Sequence, residues 1–291
     1  MPWSRRRQSP PKDPSVQKDL ERPTAHQIYE QVSRNGRQEL RRSASELAVS
    51  GVAGGMTMGL TALGSAVALT HLGEGPLATL VANLLYPIGF VAVIIGRAQL
   101  FTENTLYPVA LVLAERRHVF TTLRLWGIVF LFNVFGAFLF ALIASKTGAV
   151  DPANVASLVH LGIAVTAHTP SQIFWSGVLG GWIIALVAWL VSGSHSVSGS
   201  IMIIYLLTFL VGALHFAHCI ASSGEVLSAI LTGQLPPIAY PRWEFFATAG
   251  NICGGVGLVT LLEYGQTSEG SDEVPAKKSA EEKPAQKVSA S

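Results

Sequence analysis

More than 200 consecutive residues in the middle of this 291-residue chain are nearly free of charge, and that stretch decides which solvent the chain can fold in. Residues 1–50 hold ten of the twenty Lys/Arg, and residues 265–291 hold four more together with five of the eighteen acids. Charged residues make up 13% of the chain, about half the roughly 25% of a soluble domain, while hydrophobic residues make up 49%. A soluble core of this size needs a charged surface, and the middle of the chain has none to supply. A bilayer fits, and there backbone polar groups must be satisfied internally. The expected class is an all-α integral membrane protein.

Six apolar blocks run over 47–70, 77–113, 119–145, 172–192, 200–232 and 243–263. A span needs about 20 residues, so the second and fifth blocks are too long for one simple helix. Each holds a polar interruption, GRAQLFTENT at 96–105 and HFAHCIASSGE at 215–225. Six transmembrane helices over residues 47–263 are expected, the second and fifth broken. Residues 1–24 carry five prolines and mixed charge, the signature of a disordered tail, and 264–291 read as a second one. Residues 25–46 form a polar helix with Ile28, Val32 and Leu40 as sparse apolar positions, expected to lie at the membrane surface. No signal peptide is visible, because the first long apolar run begins near Leu47.

Lys/Arg placement sets the orientation. With the N-terminus inside, the inner segments hold 17 of these residues, including Arg116, Arg117 and Arg124 of one short loop. The outer loops hold only Lys146 and Arg242, and Arg97 lies within a block. Both tails are therefore expected on the cytoplasmic side of the cell (inner) membrane.

Landmarks recur in the same order in two halves. GVAGG at 51–55 opens the first block and GVLGG at 177–181 the fourth. Asn133-x-x-Gly136 lies in the third and Asn251-x-x-Gly254 in the sixth, and the broken blocks are the second and fifth. Three helices per half is an odd number, so the second half enters the membrane from the opposite side. Such inverted repeats are common in transporters, and paired interruptions in them point to a binding site or pore. Freed backbone groups must line a cavity or be buried in protein, and half-helix N-termini favour an anion.

The two interruptions hold the residues able to carry chemistry. Gly96 permits a break, and Thr102, Asn104 and Thr105 are expected to cap a new helix with Glu103 in its first turn. Arg97 and Glu103 are the only charges of their block, either a structural ion pair or groups reaching the interface. His215 and His218 sit in the fifth-block interruption. They lack a third metal ligand nearby, so no metal is expected. A His at this depth is a functional-site candidate suited to proton exchange with a weak acid, or else a ring hydrogen-bonded into a helix interface. Tyr86 and Phe90 share a helix face and, with Leu100, Phe101 and Val211, surround the breaks as a hydrophobic constriction or as plain packing. Cys219 and Cys253 lie in apolar segments and imply no disulfide framework. There is no basic patch outside the tails to suggest nucleic acid. No metal set or nucleophile–base pair suggests an enzyme, and no cofactor is expected. A pore for neutral solutes and a non-transporting membrane protein stay open as alternatives, although the Asn-Pro-Ala repeats of an aquaporin are absent.

The stretch from Gly96 to Thr105 with its Leu-Phe-Thr core, together with Phe216-Ala217-His218-Cys219-Ile220-Ala221, resembles the formate/nitrite transporter family over roughly residues 25–264. Arg-Ala-Gln before Leu-Phe-Thr and Glu-Asn-Thr after it is most similar to the YfdC-like branch. The resemblance implies an aquaporin-like fold and a homopentamer in which each protomer has its own pore. It implies passage of small monovalent anions such as formate or nitrite, linked to a proton, with Thr102 against His218 and with Leu100, Phe101, Tyr86 and Phe90 as constrictions. Gln99 and Ala217 stand where the family commonly has an acid, Ser222 where it has Asn, and Gly181 where a fourth-helix Asn is expected. The basic residue of the outer funnel is missing around Val165 and Thr166, with His168 nearby. A funnel without that base attracts anions less strongly.

Overall fold

The structure is a computed structural model that describes residues 23–269, apart from residue 74. Most of the first tail and the last 22 residues of the second lie outside the described residues. Twelve α-helices follow in order among those described: α1 Ala25–Leu40, α2 Ala44–Leu72, α3 Pro76–Leu85, α4 Pro87–Ile95, α5 Tyr107–Glu115, α6 Val119–Lys146, α7 Pro152–Thr166, α8 Pro170–Ser192, α9 Val197–Ala213, α10 Ser223–Leu231, α11 Ala239–Ile252 and α12 Leu261–Glu269. A 3₁₀ turn, Glu103–Thr105, precedes α5, and a π-helical stretch, Cys253–Thr260, joins α11 to α12.

Among the described residues five runs are long and apolar enough to cross a membrane: Ala44–Leu72, Pro76–Ile95, Val119–Lys146, Pro170–Ser192 and Ala239–Gln266. The fifth apolar block is divided between the 17 residues of α9 and the 9 of α10. Neither piece reaches the roughly 20 residues of a span alone. Start signals are local. Ser43 caps α2 reciprocally with Glu46, and Thr169 caps α8 reciprocally with Gln172, with Pro170 in the first turn.

The two halves share one pattern of hydrogen bonds. Asn133 Oδ1 accepts from Phe101 N–H at 2.9 Å, and its Nδ2 donates to the Gly51 and Gln99 carbonyls at 2.8 Å each. Asn251 Oδ1 accepts from Cys219 N–H at 3.0 Å, and its Nδ2 donates to the Gly177 and Ala217 carbonyls at 2.8 and 2.9 Å. Ser50 Oγ accepts from Gln99 N–H, and Ser176 Oγ from Ala217 N–H. The glycine landmarks make room for this. A Cβ on Gly55 would overlap the Asn133 carbonyl, and one on Gly181 the Asn251 carbonyl. Gly181, where the family pattern has Asn, therefore cannot carry a side chain without moving α11. Gly55→Val and Gly181→Val are each expected to destabilise the protein by about 1–3 kcal/mol or more through overpacking, read as a fall in melting temperature in detergent. Unchanged melting would show that these helices can separate freely.

Three expectations are corrected. The polar helix ends at Leu40, a turn follows, and residues 44–46 belong to α2, because Ser43 supplies a better helix start than continuation would. Its apolar side is used on the protein rather than on lipid alone. Val32 is fully buried in a cluster with Leu106, Ala110 and Trp189, and Tyr29 Oη donates to the Ala110 carbonyl at 2.6 Å. Helix α7 occupies a segment read as an outer loop. Asp151 caps it by accepting from Ala153 N–H at 2.8 Å, and Pro152 is its first residue. It packs on α10, where Gly162 lies against the Glu225 carbonyl. Residues 264–269 of the second tail are helical, continuing α12.

Candidate functional site

Each interruption begins where a helix ends at a non-glycine residue with left-handed backbone, Arg97 at φ 59° and His215 at φ 52°. Left-handed backbone is costly for such residues. The bonds from Asn133, Asn251, Ser50 and Ser176 hold the chain that follows, and each interruption leads into a half-length helix, α5 or α10. Because the Phe101 and Cys219 N–H groups donate equivalent bonds, Leu100 and His218 occupy equivalent places in the two loops. One break thus presents an apolar side chain where the other presents an imidazole.

His218 and Thr102 are both fully buried, and their side chains meet at 2.9 Å between Nε2 and Oγ1. His218 Nδ1 accepts from Ala221 N–H at 3.0 Å. In the neutral ring the hydrogen is therefore assigned to Nε2, which donates to Thr102 Oγ1; the assignment follows from the partners. The Thr102 hydroxyl has no other side-chain hydrogen bond among the described residues, so its own hydrogen is left for a third group. A second proton on His218 would have to displace the Ala221 N–H bond. This arrangement polarises a neighbour more readily than it gives up a proton.

Aromatic rings cover the pair on one side. The Phe90 ring meets His218 edge-on with centroids 5.1 Å apart, and Tyr86 follows at 5.7 Å from Phe90. Phe90 is fully buried and Tyr86 nearly so, as are Leu100, Phe101 and Val211. Phe101 stacks edge-on with Phe130 and Trp126, at 5.2 and 5.8 Å. Those contacts pack it against α6.

The remaining residues of the interruptions serve the loops. Thr102, Asn104 and Thr105 do not cap a helix as expected. Asn104 Nδ2 donates to Gln99 Oε1 and to the Leu100 carbonyl, at 2.8 and 3.2 Å, and Thr105 Oγ1 donates to the Thr102 carbonyl at 2.7 Å. The Leu100 and Thr102 carbonyls take these side chains in addition to long backbone bonds from Asn104 and Thr105 N–H, 3.4 Å each. Gly96 closes α4 as its C-cap. Arg97 and Glu103 form no ion pair among the described residues; Arg97 is exposed and Glu103 lies buried in the 3₁₀ turn. His215 is exposed and apart from the His218–Thr102 contact; its backbone N–H donates to the Gly212 carbonyl at 3.1 Å and its carbonyl accepts from Ser176 Oγ at 3.5 Å. Ser222 is buried at the N-terminus of α10 and makes no side-chain capping bond.

In the sequence Asn133 and Asn251 stand out only as repeat landmarks, and Ser50 and Ser176 not at all; two Asn residues in matching apolar blocks are the available signal, since a buried amide needs partners. Glu39 on α1 carries no such signal, yet its Oε2 accepts from Gln99 Nε2 at 2.7 Å and ties the polar helix to the Leu-Phe-Thr loop.

Comparison with known proteins covers the same span. The family model described as formate/nitrite transporter matches residues 26–265. The inner membrane protein YfdC of Escherichia coli is 32% identical over 247 residues, covering 82% of this chain and 77% of that protein. The formate channel FocA of Haemophilus influenzae is 26% identical over 242 residues, covering 74% of this chain and 84% of that protein. Among solved structures, an FNT family ion channel superposes with a TM-score of 0.75 at 22% identity, covering 82% of this chain and 98% of that one. A pentameric formate channel with formate bound gives a TM-score of 0.64 at 20% identity, covering 76% and 96%. With its broken helices, buried Thr–His contact and family-wide match, the chain belongs to the formate/nitrite transporter family and is a membrane channel or transporter, not an enzyme.

Proposed function

We propose that this protein carries small monovalent anions of weak acids, formate and nitrite being the type, through a pore in each protomer of a homopentamer. The carrying observation is the isolated Thr102–His218 contact, buried against aromatic rings where the two helix breaks meet. Six membrane helices arranged as two inverted three-helix repeats suit this reading, since the shared hydrogen-bond pattern supports such a pairing. Both termini lie on the cytoplasmic side, following the Lys/Arg distribution, and residues 1–24 and 264–291 serve as polar tails. The pentamer is supported by the likeness to a pentameric formate channel.

A bare anion held in an apolar constriction costs several kcal/mol. The Thr102 hydroxyl can donate its free hydrogen to the anion while accepting from His218, and the N-terminus of α10, which has no side-chain cap, adds partial positive charge. Leu100, Phe90 and Tyr86 keep water out and make this donation the main polar contact available. That cost is absent when the acid passes in its neutral form, and Glu225, buried in the first turn of α10, has no cation paired with it among the described residues. Flux driven by an anion gradient is therefore expected to rise as pH falls from 7.5 to 5.5, in proportion to the protonated acid. Flux of glycerol or urea with no pH dependence, and none of formate, would favour the neutral-solute reading instead.

Thr102→Val removes the hydroxyl and keeps the shape. It is expected to lower formate and nitrite uptake into proteoliposomes about 10- to 100-fold, since a hydrogen bond to a charged group contributes about 1.5–3 kcal/mol. Uptake equal to wild type would remove Thr102 from the permeation path.

A further inference from the structure

A group of cations separate from the Thr102–His218 contact lies where α1, α5 and the start of α6 meet. A groove of about 260 Å³ opens there. Its polar rim is Arg37, Arg41, Arg117, His118 and Thr121, and Leu40 and Leu111 form its apolar floor.

The sole carboxylate of the groove is already committed. Glu115 Oε1 holds Arg37 at 2.8 Å, and its Oε2 holds Arg117 at 2.6 Å and His118 Nε2 at 3.0 Å. One carboxylate thus orients two guanidiniums, and each guanidinium carries five N–H donors, most of them left over. Arg41 has no ion pair among the described residues. The three arginines of the groove exceed its single acid by two charges. Left-handed backbone at Arg116 and His118, φ 50° and 75°, turns the α5–α6 connection sharply enough to bring Arg117 and His118 to the same carboxylate.

We infer that this groove binds the headgroup phosphate of an anionic phospholipid. Planar guanidiniums match a phosphate with paired N–H donors. The groove is smaller than the several-hundred-Å³ pockets that enclose whole organic ligands, which suits a headgroup with its tails outside. The tails have a place to go. Val119, Phe120 and Leu123, on the first turns of the apolar helix α6 beside the groove, are 51%, 88% and 53% exposed. Cations at the rim of an apolar belt meet the lipid phosphate layer, a geometry that a free phosphate would not need.

The test uses the full-length protein in detergent, titrated with phosphatidylglycerol, phosphatidylcholine or inorganic phosphate. Bound lipid is counted by native mass spectrometry and the melting temperature is followed. One phosphatidylglycerol is expected to stay on each protomer while phosphatidylcholine is lost, and inorganic phosphate at equal concentration is expected to leave the melting temperature unchanged. Arg41→Gln leaves the partners of Glu115 intact and is expected to weaken phosphatidylglycerol binding about five-fold. Arg41→Gln with Arg117→Gln is expected to weaken it about 25-fold. Arg34→Gln, on the same helix but outside the groove, is expected to leave it unchanged. Equal retention of the two lipids, equal losses from Arg34→Gln and Arg41→Gln, or a melting shift with inorganic phosphate matching that of phosphatidylglycerol would each overturn the inference. Should the double variant fail to fold, the comparison of Arg41→Gln with Arg34→Gln decides by itself.

Discussion

Asn251→Leu and Asn133→Leu are each expected to destabilise the protein by about 2–6 kcal/mol, the largest effect of any single substitution proposed for this chain. Each Asn is fully buried and donates and accepts at the same time. Removing Asn251 leaves the Cys219 N–H and the Ala217 carbonyl without a partner. Removing Asn133 does the same to the Phe101 N–H and the Gln99 carbonyl. Each abandoned group costs about 1–3 kcal/mol where no water can replace the partner. The two variants are expected to lose similar amounts, because the bonds lost are the same in kind and number. Melting temperature and detergent half-life measure this. A melting temperature within a degree of wild type for either would show that the loop is held by something other than the amide.

Replacing His218 by Ala is expected to cost about 10- to 100-fold in formate and nitrite uptake with the fold retained. The second part of the prediction is non-additivity. Thr102 Oγ1 and His218 Nε2 are partners in one bond, so Thr102→Val and His218→Ala remove the same interaction, and residues within one network couple rather than add. Thr102→Val/His218→Ala is expected to transport within about two-fold of the poorer single variant. Uptake is measured in proteoliposomes at two pH values with the protein content matched. Undiminished flux in His218→Ala would sink the role proposed for the imidazole, and losses that multiply in the double variant would show that the two side chains act separately.

The two breaks were legible in the sequence because a polar run inside an apolar block is costly unless it has protein or water around it. Gly96 to Thr105 and His215 to Glu225 announced themselves that way, and the paired glycine and Asn landmarks followed from simple alignment of the halves. The helix α7 was less visible, since its 15 residues fall short of the roughly 20 that a span needs. The Asp151-Pro152 pair was its one start signal. Asn104 was misjudged for a physical reason. Ser, Thr and Asn near a helix start usually serve that helix, but here the Gln99 side chain and the Leu100 carbonyl within the break take the Asn104 amide.

Solvent preference and polar interruptions are properties of composition over some 20 residues, so the all-α membrane class and the breaks at 96–105 and 215–225 follow from the sequence alone. Partnership is different. Thr102 and His218 are 116 residues apart, and nothing local in either segment says which hydroxyl the imidazole will meet. Only the packing of the two halves, with Asn133 and Asn251 holding one loop each, brings them to hydrogen-bonding distance. The same packing decides that Leu100 takes, in the first break, the place that the imidazole takes in the second.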